Sequence, residues 1–279
     1  MIGLKGRHPK VPSSWTDLTK QTASDLKRLS ISSVSQIFTE ASFPNHWSTF
    51  KHLFIRPQHD GKCAYCETSV ISGSPGDVEH FRPKAYCQAL SEASNRNDYG
   101  GQPPGRKKSG PATGGYWWLA YRWSNYLLTC NRCNSVWKKN QFPLNGRRAR
   151  RRDKLSTEKA LLINPYILNP EKHFQFDAVT GQIRGLTPQG NATISVCGLD
   201  RHSLDAQRLI KGAKIRKLYV RYLSALKSKN VEAQNLVLNA LIDECRSKAT
   251  FAALARCYVK QNLGMTYREL LRMKRRRLI

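Results

Sequence analysis

Two Cys-x-x-Cys pairs bracket a Glu-His dipeptide. The first pair is Cys63 and Cys66, the second Cys130 and Cys133, and Glu79-His80 lies between them. Four thiolates in two such pairs suit a tetrahedral Zn²⁺, whose closed coordination leaves no position for a substrate. The metal is therefore expected to act as a staple joining stretches far apart in sequence. Any catalysis must come from what the staple holds: Glu79, His80, Asn125 and Asn134. Among these, an imidazole that titrates near neutrality is suited to take a proton, and the carboxylate and amide offer hard oxygen donors.

Composition bounds the partners. The chain has 279 residues with 47 Lys+Arg against 19 Asp+Glu, a formal charge of +28. So lopsided a balance repels itself unless a polyanion is nearby, and nucleic acid is the expected one. An anionic membrane or an acidic protein would satisfy the same electrostatics. Against the membrane, no stretch approaches the ~20 apolar residues needed to cross a bilayer. The first ten residues lack the apolar run of a secretion signal. Eight cysteines, four of them in metal spacing and Cys87, Cys197, Cys245 and Cys257 scattered, fit a reducing cytoplasm better than a disulfide scaffold.

The elements that must position these residues are partly legible. Residues 14–29 read as a capped helix with Leu18, Leu26 and Leu29 among its apolar positions, and a shorter helix includes Trp47, Phe50, Leu53 and Phe54. Residues 71–76 read as a turn between two short strands, and 91–115 as a long loop rich in Gly, Pro, Asn and Lys. An aromatic segment, 116–123, is expected to pack against the metal finger. The second cysteine pair should open a helix through Lys138, with Lys138 and Lys139 either on phosphate or on a solvated face. The run 147–154 reads as an exposed basic loop. Residues 161–163 and 174–176 have strand character, with a turn at Thr180-Gly181, and Ser203 is positioned to cap a long helix. His173 reads as a hydrogen-bonded structural residue.

Asn125 stands five residues before Cys130 and nine before Asn134. With Glu79-His80 this resembles the HNH endonuclease motif, a ββα-metal finger with zinc-knuckle cysteines at its base. The resemblance implies that the acidic residue and His end one strand, the middle Asn lies in a loop, and the last residue lies on the helix. His80 would be the general base, Glu79 and Asn134 the ligands of a catalytic Mg²⁺ or Mn²⁺, and Asn125 a residue that holds the His80 loop. Phosphodiester hydrolysis needs an activated water, charge neutralisation on phosphate and a stabilised leaving oxygen, and this donor set suits those tasks. Two positions depart from the commoner pattern: Glu79 stands where Asp is frequent, and Asn134 where His is frequent.

A narrower resemblance covers residues 60–210. Cys63-Ala-Tyr-Cys-Glu67, Val78-Glu-His-Phe-Arg-Pro-Lys84, Tyr116-Trp-Trp-Leu-Ala-Tyr121, Leu162-Ile-Asn-Pro165, Pro170-Glu-Lys-His-Phe174 and Gly198-Leu-Asp-Arg201 occur in order. Together they are similar to the HNH nuclease subunit of Septu-type anti-phage systems, also found as a retron-associated effector. This implies a bacterial cytoplasmic setting, an ABC/SMC-like ATPase partner, DNA as the favoured substrate and, in retron-associated examples, a reverse transcriptase and its msDNA. The expected architecture is α+β, a zinc-stapled ββα-metal finger embedded in a mostly helical chain with a small β extension. Residues 1–60 form a helical segment, 61–145 the finger, 146–200 a basic loop and β extension, and 201–279 a helical region. An RNase of the same system, or a catalytically silent zinc-dependent nucleic-acid-binding subunit, fits the same charge and cysteines.

Overall fold

Val78, Tyr126 and Thr129 favour extended backbone, and the runs that contain them pair. In the computed structural model, which describes residues 1–32, 38–71, 76–90 and 113–277, β1 (Asp77–His80) lies antiparallel to β4 (Tyr126–Thr129). Their register sets Asp77 opposite Thr129 and His80 opposite Tyr126. All four β4 residues are buried. The chain then enters a helix, Arg132–Lys138, of π type, with Lys139 N–H donating to Asn134 O at 2.7 Å. This strand–strand–helix unit carries Glu79, His80, Cys130, Cys133 and Asn134, and Asn125 ends the 3₁₀ turn Trp123–Asn125 immediately before β4. The first cysteine pair sits just upstream, tied to β4 by Ala64 N–H on Leu128 O at 3.0 Å. A second pair of strands, β2 (Tyr86–Cys87) and β3 (Thr113–Gly114), flanks the unit. Most of the expected 71–76 turn and 91–115 loop lies outside the described residues.

The N-terminal helix α1 (Ser13–Ser32) is longer than its sequence signal, and its inward face differs from the expected one. Leu18 is exposed, whereas Trp15, Thr19 and Leu26 are buried. Trp15 anchors the helix because its ring meets four aromatics, Phe50 at 5.4 Å, Trp123 at 5.2 Å, Tyr126 at 5.5 Å and Tyr121 at 6.3 Å. The short Trp47–Phe54 segment is a 3₁₀ helix that buries Trp47 and Phe54 in the same cluster.

Beyond the strand–strand–helix unit, β5 (Phe174–Phe176) and β6 (Ile183–Gly185) form a hairpin, with Gly181 at positive φ in the turn. Residues 161–163 are not a strand. Leu162 and Ile163 are buried, but Ile163 N–H is taken by the Thr193 hydroxyl at 3.0 Å rather than by a strand neighbour. That hydroxyl belongs to α2 (Pro188–Cys197), which opens on a Thr187 cap with Pro188 in its first turn and closes on Gly198. The long helix α3 runs His202–Lys227, so Ser203 lies within its first turn and Arg201 occupies the cap position. Helices α4 (Val231–Cys245), α5 (Ala252–Leu263) and α6 (Tyr267–Arg277) follow and complete the described residues. Their end of the molecule is fastened to the first cysteine pair: Lys62 Nζ donates to Ser247 O at 2.8 Å and Ala249 O at 2.6 Å while pairing with Glu67 at 2.9 Å. No helix among the described residues is long and apolar enough to cross a membrane.

Candidate functional site

The ligand atoms of Cys63, Cys66, Cys130 and Cys133 all lie within 4.8 Å of one another. Zn–S bonds of about 2.3 Å in tetrahedral geometry set sulfur–sulfur edges near 3.8 Å, and Cys66 Sγ stands 3.7 Å from Cys130 Sγ. The thiols cannot all ionise unaided. Burial pushes Cys63 and Cys133 up, while hydrogen bonding from Cys130 and its neighbours pulls Cys66 down. A dication resolves that conflict, so the donor set fits zinc in chemistry and spacing.

Four thiolates around Zn²⁺ leave a net charge of −2, which needs donors around the sulfurs. Cys133 N–H points at Cys130 Sγ at 3.4 Å, the Thr68 hydroxyl lies 3.0 Å from Cys66 Sγ, and Arg201 Nη1 donates to Cys133 Sγ at 3.6 Å. Arg201 is buried, which works against its charge, yet the Cys133, Cys66 and Cys130 thiolates outweigh that and raise its pKa. Three residues upstream, Gly198 has φ +57, and a Cβ there would fall 2.0 Å from the Trp137 indole. The Gly198-Leu-Asp-Arg201 motif is thus a buttress behind the cysteine cluster. Glycine admits Trp137 of the π-helix, and arginine balances the sulfurs.

His80, at the end of β1, is buried between Trp47 and Tyr126, with ring centroids 4.5 and 5.0 Å away and both contacts edge-on. Its Nε2 is 2.9 Å from Ala120 O. A carbonyl oxygen only accepts, so Nε2 carries the proton and Nδ1 is the basic nitrogen. Burial, with Lys84 adding to it, holds the imidazole pKa well below its ordinary value, so the ring is neutral at pH 7.

Asn125 fixes the chain just past that ring. Its Oδ1 accepts from Arg82 N–H at 2.9 Å, and its Nδ2 donates to Arg82 O at 3.0 Å and Leu119 O at 3.3 Å. One amide therefore holds both the exit from β1 and the segment that supplies Ala120 O to His80. Arg82 is clamped further by Glu158 at 2.8 Å, and Glu158 also takes the Tyr116 hydroxyl and Ala149 N–H. Through Ala149 the basic run 147–154 is drawn back onto the aromatic segment rather than hanging free.

Glu79 and Asn134 have other partners. Asp77 and Glu79 share one face of β1, two residues apart, while Asn134 and Lys138 lie about one turn apart on the π-helix. Strand and helix meet through two polar rungs. Asn134 Nδ2 donates to Asp77 Oδ2 at 3.3 Å, and Lys138 Nζ forms an ion pair with Glu79 and donates to His80 O at 3.1 Å. Lys138 is therefore neither solvated nor on an open phosphate-facing surface; it is buried on the carboxylate expected to bind metal. Burial pushes the Glu79 carboxyl up, and Lys138 pulls it back only in part. Asp77, Lys138 and Arg201 are the residues that the sequence reading did not assign to the site. Their signals were register signals: Asp77 is two before Glu79 on a strand, and Lys138 four after Asn134 on a helix. His173, by contrast, is held by the Thr187 hydroxyl at 2.7 Å, the structural role expected of it.

The chain that carries this cluster and clamp has relatives. The chain is homologous to Septu protein PtuB. The PtuB of Bacillus mycoides is 32% identical over 171 residues, 60% of this chain and 52% of that protein. Septu protein PtuA of the same organism is 28% identical over 158 residues, 56% of this chain and 20% of that protein. The chain thus spans about half the length of its PtuB relative and about a fifth of its PtuA relative. No family model matches it.

Proposed function

We propose that this chain is a metal-dependent HNH endonuclease serving as an effector subunit in Septu-type anti-phage defence, with DNA as its favoured substrate. The observation that carries the reading is the tethered His80 imidazole, Nε2–H on Ala120 O and Nδ1 left basic, above a Cys₄ cluster and beside the Asn125 clamp. The homology to PtuB supports the defence role.

In this reading His80 Nδ1 accepts a proton from a water whose oxygen attacks phosphorus. The bond to the 3′-oxygen breaks, leaving a 5′-phosphate and a 3′-hydroxyl that takes its proton from solvent. Glu79 and Asn134 would hold Mg²⁺ or Mn²⁺, which neutralises the phosphate and steadies the departing oxygen. Both are oxygen donors suited to a hard cation, and Asp77 stands beside them. Lys138 is the competing cation on Glu79, so it must swing away or share that carboxylate. Asn125 keeps Ala120 O and the residue after Phe81 in place, so that the imidazole neither rotates nor switches tautomer. Ile210 and Val220 on α3 and Leu236 on α4 are exposed apolar side chains, which suits docking of an ATPase subunit of the PtuA kind.

The test is cleavage of labelled DNA and RNA by the purified chain, with and without a PtuA-type subunit and Mg²⁺ or Mn²⁺. His80→Ala should lower the rate by ~10²–10⁴ with zinc content unchanged. A His80→Ala chain that cuts at the wild-type rate refutes the assignment.

A further inference from the structure

Between α1 and the aromatic segment lies a cavity of about 410 Å³, within the range of small-ligand sites. Trp117, Trp118 and Tyr121 form its aromatic wall, and Lys20, Arg122 and Arg151 stand on its rim, with no carboxylate among the described lining residues. The neighbours Tyr116, Leu119, Ala120 and Trp123 are fully buried, whereas Trp117, Trp118 and Tyr121 are only half-buried. The segment therefore packs with one set of side chains and leaves three aromatic rings partly open to the groove. Arg151 already lies over the Trp117 ring, its guanidinium carbon 5.5 Å from the centroid.

We propose that this groove seats one unpaired nucleotide of the nucleic acid bound by the chain, its base against the tryptophans and its phosphate between Arg122, Arg151 and Lys20. The proposal rests on the nucleic-acid reading above and extends it to substrate form. A base within a duplex is covered on both faces by its stacking neighbours, so a concave aromatic wall can engage only a base that has left the stack. The stack is sequence-tolerant because every base offers a π-face, and the cations supply the phosphate attraction that a purely apolar cleft lacks. Position strengthens the case. Ala120, the residue between the buried Leu119 and the groove-lining Tyr121, presents the carbonyl that fixes His80. Tyr121 also touches Trp47, which in turn packs on His80. Residues 117–121 therefore serve the groove with one set of atoms and the imidazole with another.

Binding to 12-nucleotide single strands of DNA and of RNA, to a duplex of equal length, and to single strands carrying an abasic site tests this by fluorescence anisotropy without added Mg²⁺. Trp118→Ala should weaken single-strand binding about 5- to 150-fold, the range for one lost base stack, and duplex binding by less than 2-fold. Abasic strands should bind wild type weakly and be insensitive to Trp118→Ala. Arg122→Gln with Arg151→Gln, both at exposed positions, should flatten the salt dependence of single-strand binding even if the tryptophan variant folds poorly. Equal losses on single strand and duplex, no loss in either variant, or no binding at all overturns the groove. A chain that cuts duplex through His80 yet shows none of these effects loses the groove and keeps the nuclease. One that shows them all and never cuts keeps the groove and loses the nuclease.

Discussion

Lys138→Met should destabilise the zinc-loaded chain in a way that depends on pH, because Lys138 is the cation that lets Glu79 stay ionised inside the protein. The side chains of Lys138 and Glu79 are 1% and 4% exposed, so solvent screens the pair little. Removing one member of such a pair costs about 3–5 kcal/mol if the other stays charged. Glu79 has a cheaper route. Protonating a glutamate of ordinary pKa, about 4.3, costs about 3.7 kcal/mol at pH 7. The deficit of Lys138→Met is therefore capped at about 4 kcal/mol, plus whatever the lost bond to His80 O contributes. At about 2–4 °C per kcal/mol, the cap corresponds to a fall in Tm of at most about 8–15 °C, and because burial already raises Glu79 in the wild type the observed fall should lie below it.

In the variant the folded Glu79 pKa lies far above its unfolded value. The penalty is then absent below about pH 4.3 and grows as pH rises, until it reaches the folded pKa. Between pH 7.0 and 5.5 the gap between variant and wild type should narrow by up to about 2 kcal/mol. Adding Glu79→Gln to Lys138→Met should recover most of the loss and remove this pH dependence. Urea melts of wild type, Lys138→Met, Glu79→Gln and the double variant, with zinc content verified in each, give the coupling energy directly. A deficit under about 1 kcal/mol, or one that does not change with pH, would show that the pair is not the buried charge compensation described here.

Three further outcomes follow from the same geometry. Cys130→Ser should abolish stoichiometric zinc and unravel the finger, since structural zinc sites supply ~10–16 kcal/mol of apparent binding energy in small peptides; metal analysis with circular dichroism decides it, and a folded, zinc-free chain would refute it. Arg201→Gln should speed zinc transfer to a chromophoric chelator ~10–100-fold by withdrawing the charge beside Cys133, and Arg201→Lys should restore part of it. If Arg201 only packs, release rates will match wild type at equal Tm. Asn125→Ala should cost about 2–4 kcal/mol, because it leaves the N–H and the carbonyl of Arg82 without their partner, while Leu119 O keeps Arg122 N–H; Asn125→Asp should not rescue it, since a carboxylate replaces only the acceptor.

Spacing makes some of this legible in the sequence itself. Two Cys-x-x-Cys pairs predict a four-sulfur cluster regardless of the fold between them, because ligand chemistry leaves few other uses for that pattern. The expectation that Asn125 holds the His80 loop came from the HNH resemblance rather than from spacing, and its amide bonds the N–H and carbonyl of Arg82. Helix α2 was missed although its signals were present: Thr187 and Pro188 open it and Gly198 closes it. Its weak amphipathicity hid it, since buried Ala192, Thr193, Ile194, Val196 and Cys197 cover more than one face. Residues 161–163 had the composition of a strand, but their pairing stops at Leu161, whose N–H donates to Pro143 O at 3.0 Å next to a single bridge between Leu144 and Ala160; strand propensity records suitability for a pleated surface rather than the extent of a partner.

Charge pairing was the part that sequence did not reveal. Lys138 is one lysine among 47 basic residues, and nothing in its neighbourhood distinguishes it from Lys139. What selects it is register. Once β1 aligns with the π-helix, a lysine four residues after Asn134 falls opposite the carboxylate two residues after Asp77, and both are sealed from water. Any insertion between Cys133 and Lys138 would turn that lysine away and leave Glu79 buried without a counterion. The spacing from Cys133 to Lys138 is thus as much a part of the site as the residues themselves. A single alanine inserted after Ser135 should reproduce the instability of Lys138→Met while leaving all four cysteines, and therefore zinc binding, in place.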